Sequence, residues 1–302
     1  DRDTADPEAF RRTGNIFLFH ESQKDFKLPN CQFTVYHDKK INPSSDSAWS
    51  DVHFKPLRHY NNRTLLQEAK MAILIIEMGA PPDSIQASCG QTAEWFLSAL
   101  AKIGKKADVI RPYLGEKLPE PTSVTAAIIT GSWSMVTDRE TWSEKTAEWI
   151  RQAMPFDIPL FGVCYGHQLM AHALGGTVAD NPFGGETGVI DIELTPAGKR
   201  NLLLDNFPDR FPACVFHRQS VLEAPEDSDI LAVSEKDGCQ ILRYGTSAFS
   251  VQFHPEFTSI IIESACHTIG SKPDTHSLLA SQDTNWPLKL LHNFCRIAED
   301  IG

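Results

Sequence analysis

The sequence predicts an α/β fold: a mixed, mostly parallel sheet flanked by helices, with antiparallel strands added to it. Three observations carry that expectation. A fully apolar run at 72–76 reads as a central strand covered on both faces. Strand-like and helix-like patterns then alternate as βαβαβ as far as residue 163. The last of these strands turns sharply through Gly162-Val163-Cys164-Tyr165-Gly166 into an apolar-faced helix. A cysteine held between glycines at a strand-to-helix turn is a nucleophile-elbow pattern.

Taken in order, residues 1–70 differ from the rest. Short β-like pieces at 15–20 and 32–36 are separated by polar stretches, and no sustained periodicity would bury a core. The segment is expected to be an N-terminal extension outside the core fold. The first methionine, Met71, directly precedes the first convincing strand and is expected to be the natural start. The Asn62-Arg63-Thr64 sequon is read as chance. The domain proper is expected to span 71–302.

After strand 72–76 comes an amphipathic helix at 91–102, a strand at 107–110 and another at 126–130 that ends on Gly131. A helix at 142–154 is closed by Pro155, and strand 158–163 leads into the elbow. Apolar Leu169, Met170, Ala173 and Leu174 give the elbow helix its buried face. The second half is strand-rich, with segments at 186–194, 213–221, 229–234, 240–244 and 248–253 expected as antiparallel additions. A helix near 259–267, a polar loop at 273–286 and a final helix at 287–298 close the chain.

Composition bounds the partners. The formal net charge is −11 and the acidic excess falls after residue 70, which argues against nucleic acid. No run of 18 apolar residues predicts a membrane span. The 7 cysteines are scattered, with no CxxC pair or Cys/His ligand spacing, so no metal is expected. Without a signal-peptide pattern, the expected setting is cytoplasmic.

Chemistry concentrates in two segments. The elbow helix aims its N-terminal N–H groups at the sulfur of Cys164, which favours the thiolate. In Ser250-Val-Gln-Phe-His254-Pro-Glu256-Phe257, a histidine and a carboxylate two residues apart can project from one strand face. A cysteine needs a base and the base needs an orienting group, so Cys164, His254 and Glu256 are candidate members of a triad.

With these two segments in this order, GVCYGHQ and QFHPEF, the chain resembles the class I glutamine amidotransferases, in particular the glutaminase domain of GMP synthases. The resemblance runs from about Met71 to the C-terminus. It implies a flavodoxin-like domain and attack of Cys164 on a glutamine side-chain amide. His254 would move the proton, Glu256 would orient it, and a γ-glutamyl thioester would be left for water. It implies an oxyanion hole from the backbone N–H groups of Tyr165 and Gly131, although Ser132-Trp133 departs from the Gly-Gly-Pro of many relatives. It also implies substrate contacts from Gln168 and from the Phe216–Ser220 segment, with His217 and Gln219 as the candidates. His167 and His172 are read as packing or surface residues, and Glu186, after Gly184-Gly185, as a structural turn residue.

No cofactor is needed by such a mechanism. No P-loop or synthetase domain follows His254, so ammonia is expected to pass to an ammonia-accepting synthetase on a separate chain. A γ-glutamyl peptidase would use the same triad on a γ-glutamyl compound, and a non-catalytic regulatory homologue would keep only the fold. A cysteine-substituted serine-hydrolase plan fits less well, because its acid normally precedes its histidine.

Overall fold

The computed structural model describes residues 25–28, 31–34, 73–271 and 285–301. The chain divides into two compact units, Asp1–Leu66 and Gln67–Gly302. In the first, β1 (Asp25–Leu28) and β2 (Cys31–Thr34) form an antiparallel hairpin. The expected piece at 15–20, the sequon, Met71 and the boundary at 70 lie outside the described residues. So does nearly all of the expected loop at 273–286.

In the second unit, β3 (Ile73–Ile76), β4 (Ala107–Ile110), β5 (Ala126–Ile129) and β6 (Leu160–Val163) are parallel. Every residue of β3, β5 and β6 is buried, with successive side chains entering opposite faces of the sheet, which is why these runs are apolar throughout. Ile73, Ile75, Ala126, Ile128, Phe161 and Val163 enter one core. Leu74, Ile76, Ala127, Ile129 and Leu160 enter the core on the opposite face. Each fully buried Ile or Leu contributes about 1.5–3 kcal/mol of transfer free energy. Helices α1 (Asp83–Cys89) and α2 (Thr92–Ala101) follow β3. The Glu94 carboxylate accepts the Gln91 N–H at 2.8 Å and closes the start of α2. α2 covers the first face, whereas α3 (Thr141–Ala153) and the elbow helix α4 (Tyr165–Ala173) cover the other. Periodicity alone does not mark α1, which is short and buries only Ile85.

The strand-rich half comprises β7 (Thr177–Asp180), β8 (Glu186–Leu194), β9 (Arg210–His217), β10 (Gln219–Glu223), β11 (Ser228–Val233), β12 (Ile241–Tyr244) and β13 (Ala248–Val251). The main sheet runs β4-β3-β5-β6-β13-β12-β11-β8-β9. The expected strand at 213–221 is broken at Arg218. β9 stays in the main sheet, while β10 leaves to pair with β7, a strand not anticipated from the sequence.

A second difference positions the site. β13 is not antiparallel to its inner neighbour; it runs parallel to β6, with Val251 opposite Val163. The carboxyl ends of β5, β6 and β13 therefore lie side by side, and Gly131, Cys164 and His254 emerge there. The helices α5 (Ser259–Thr268) and α6 (Trp286–Ile301) complete the unit, with α6 packing Leu290, Leu291 and Phe294 into the first core.

Candidate active site

Cys164 stands at the end of β6 with φ 51 and ψ −99, a left-handed setting seldom adopted by a residue with a Cβ. Its neighbours hold it there. The Cys164 N–H donates to Val251 O at 2.8 Å, and the Gln168 N–H closes the first helical turn onto Cys164 O at 3.0 Å. A Cβ on Gly166 would lie 2.2 Å from Ile129 O, and one on Gly162 would lie 2.6 Å from Gly166 O. Both positions need glycine because backbone passes directly against backbone.

His254 leaves β13 with its N–H donating to Cys214 O at 2.8 Å. Its Nδ1 is 2.8 Å from Glu256 Oε1, both side chains are buried, and Nε2 has no hydrogen-bond partner. Burial pushes the His254 pKa down, but the charges of Glu256 and Cys164 outweigh it and hold the imidazole raised to about 10. Opposite sits Gly131. A Cβ there would lie 3.1 Å from His254 Cε1, close enough that the imidazole would have to give by a few tenths of an ångström, and at an ordinary contact distance of 3.7 Å from Cys164 Cβ.

Cys164, His254, Glu256, Gly131, Tyr165, Gln168, His217 and Gln219 all line one cavity of about 190 Å³. Every candidate site residue read from the sequence is thus brought to a single place. Tyr165 contributes backbone only, since its side chain points into the core, with Oη donating to Ser143 Oγ at 2.6 Å and the ring stacked on Trp142. As the first residue of α4, it carries an N–H without an intrahelical acceptor. The Gln168 amide nitrogen is committed to the protein, donating to Gln219 O at 2.7 Å and Gln252 Oε1 at 3.0 Å. Gln168 thereby ties the elbow helix to the start of β10. Gln219 donates to Thr137 Oγ1 and Asp180 Oδ1, while its own Oε1 is left without a partner.

His217 is fixed from both sides, with Nδ1 2.9 Å from Gln219 O and Nε2 3.1 Å from Glu186 Oε2. Glu186 is not a turn residue; it opens β8 opposite His217. Its burial opposes ionisation, but hydrogen bonds from His217 and Ser234 outweigh that and lower its pKa. Among the described residues, Glu186, His217 and Asp237 place ligand-type atoms within 4.8 Å of one another. Donors from His217, Gln240 and Ser234 already surround Glu186, and the Cys239 N–H occupies Asp237 Oδ1. The cluster therefore acts as a hydrogen-bonded support behind the cavity.

The two histidines of the elbow helix do not line the cavity. His167 is fully buried against Ser250 Oγ at 2.7 Å, and burial, with the nearby charge of His217, lowers its pKa to about 3. His172 pairs at the surface with Glu144 and Arg139.

One part of the site, its aromatic side, was not read from the sequence. Trp95, Trp133, Phe216 and Phe257 also line the cavity. Three of them lie in or beside segments already singled out: Phe216 opens the Phe216–Ser220 segment, Trp133 is two residues after Gly131, and Phe257 immediately follows Glu256. Their sequence positions do not show that the four rings meet.

The family profile described as "Glutamine amidotransferase class-I" matches residues 88–263. The GMP synthase [glutamine-hydrolyzing] of Aeropyrum pernix is 29% identical over 171 residues, covering 55% of this chain and 31% of that protein. The chain thus spans less than a third of that relative's length. Gamma-glutamyl peptidase 4 of Arabidopsis thaliana is 28% identical over 204 residues, covering 65% of this chain and 80% of that one. In fold, the chain is similar to a glutamine amido transferase from Methylobacillus flagellatus, with a TM-score of 0.62 at 19% identity over 76% of this chain and 95% of that one. Among the described residues, no helix is long and apolar enough to cross a membrane.

Proposed function

The chain belongs to the class I glutamine amidotransferase family, and from that premise we propose that it hydrolyses the side-chain amide of glutamine or a related γ-glutamyl amide. The Cys164 thiolate attacks the amide carbon, and the oxyanion is met by the N–H groups of Gly131 and Tyr165. His254, held as imidazolium by Glu256, gives its proton to the leaving nitrogen as the C–N bond breaks. Ammonia or an amine departs and a γ-glutamyl thioester remains. Water, deprotonated by His254, then attacks the thioester and releases glutamate and the thiolate.

The observation that carries this reading is the convergence at one cavity. An elbow cysteine with positive φ lies beside an imidazole whose Nδ1 is bound by a buried carboxylate and whose Nε2 is unpartnered. On the polar side, Gln219 Oε1 is the acceptor left for the glutamyl moiety, and His217 and Gln168, whose nitrogens are held by protein partners, fix that side in place. Freed ammonia is passed on to an ammonia-accepting synthetase, a reading supported by the similarity to a glutamine-hydrolysing GMP synthase.

The test is Cys164→Ala. The variant is expected to keep the far-UV circular dichroism and melting temperature of the parent while losing all glutamate release. Full turnover in that variant would remove Cys164 from the role.

A further inference from the structure

The cavity has two unlike sides. Gln168, His217 and Gln219 supply polar groups from α4 and from the corner between β9 and β10. The other side is a run of aromatic rings that begins at His254. The imidazole stacks on Phe257, with centroids 3.9 Å apart and planes 16° apart. Trp95 meets Phe257 edge-on at 5.6 Å and Trp133 edge-on at 6.3 Å. Trp133 in turn lies 6.4 Å from Phe216, whose carbonyl oxygen accepts from the Cys164 thiol at 3.8 Å. Four rings from four separate parts of the chain thus wall the space beside the nucleophile and its proton donor.

Free glutamine has no use for such a wall. Its leaving group is ammonia, and its other end carries two charges that favour the polar side. A substituent on the amide nitrogen, by contrast, must follow that nitrogen to His254, because the imidazolium has to come within hydrogen-bond reach to protonate it. It would then lie against the rings that start at that imidazole, where a flat apolar group loses its water contact and packs edge-to-face.

We propose that the aromatic wall is a leaving-group subsite, and that the preferred substrates are γ-glutamyl amides whose nitrogen bears an aromatic or bulky apolar group. The inference rests on the function proposed above and adds the substrate class. The thiolate forms the C–S bond, the C–N bond breaks, and the nitrogen leaves as a primary amine with the His254 proton. Hydrolysis of the thioester returns glutamate, so no oxidant or co-reactant is required.

The experiment measures kcat/KM of the full chain for three substrates: L-glutamine, γ-L-glutamylglycine and γ-L-glutamyl-L-phenylalanine. The phenylalanine compound is expected to exceed γ-glutamylglycine by about tenfold or more, the scale on which an apolar pocket discriminates. In Trp133→Ala the ratio of these two values should collapse towards one, and in Trp133→Phe it should largely survive. Should Trp133→Ala fail to fold, the ratio in the unmodified chain and in Trp133→Phe still decides. Equal or lower kcat/KM for the phenylalanine compound than for γ-glutamylglycine would overturn the subsite, as would a preference for glutamine over both, and either result would leave the proposed hydrolysis standing. Absence of turnover on all three would overturn both.

Discussion

Cys164 keeps a backbone conformation that other contacts must enforce, and the proposed reaction pairs it with His254, ninety residues away in sequence. His254 is the residue on which pH dependence should be read. Burial works against its charge, but Glu256 and Cys164 raise its pKa from an ordinary 6.5 to about 10. A folded pKa above the unfolded one means that the native state binds the extra proton, so the stabilisation is complete below about pH 6.5 and is lost as pH rises through 10. Glu256→Gln removes the carboxylate that favours the charged ring. The stability gap between parent and variant is therefore expected to be widest below about pH 6.5 and to narrow towards pH 10. Denaturant melts across that range measure it, and a gap independent of pH would reject the coupling. Turnover in the same variant should fall by about 10²–10⁴, the usual contribution of a positioned acid–base group.

At the scale of elements, the site depends on how closely α4 lies on β5 and β6. Gly166 lets the helix pass directly over Ile129 O, and its N–H donates to Thr130 O at 3.1 Å. Gly166→Ala places a methyl group 2.2 Å from that carbonyl oxygen. Backbone has to shift, and a loss of about 1–3 kcal/mol or more is expected in urea unfolding. Gly238→Ala serves as the comparison, since its Cβ meets nothing within 4 Å and its φ is ordinary, and it should be close to neutral. Equal effects at the two positions would mean that the close approach is not what glycine provides at 166. The elbow itself was readable from the glycine spacing and the apolar run. The break at Arg218 was not, because 213–221 keeps strand-like composition throughout and only the pairing of β10 with β7 shows that the chain changes sheets.

Over the whole molecule, two cores sandwich the parallel strands, and both belong to the unit that begins at Gln67. We propose that residues from Met71 onward carry the fold and the chemistry by themselves. A chain lacking residues 1–70 is expected to match the full chain in melting temperature and in kcat/KM. Loss of turnover in the shorter chain, with its fold kept, would attach the first segment to the site.

The sequence by itself determined the parallel α/β class, the elbow at Cys164, the His254-x-Glu256 pair and the glycine at 131. The class and the elbow follow from local rules: strand alternation, helical period and the steric demand of a tight turn. The two-residue repeat of a strand does not account for His254 and Glu256, which meet in the turn that follows the end of β13 at Val251. Tertiary structure alone decided that β13 lies parallel beside β6 and so delivers His254 to Cys164. It alone moved β10 to β7, set Glu186 against His217, and gathered Trp95, Trp133, Phe216 and Phe257 into one wall. Periodicity tells which face of an element is buried but carries no record of the partner it is buried against. That partner is chosen by pairing and packing between segments far apart along the chain.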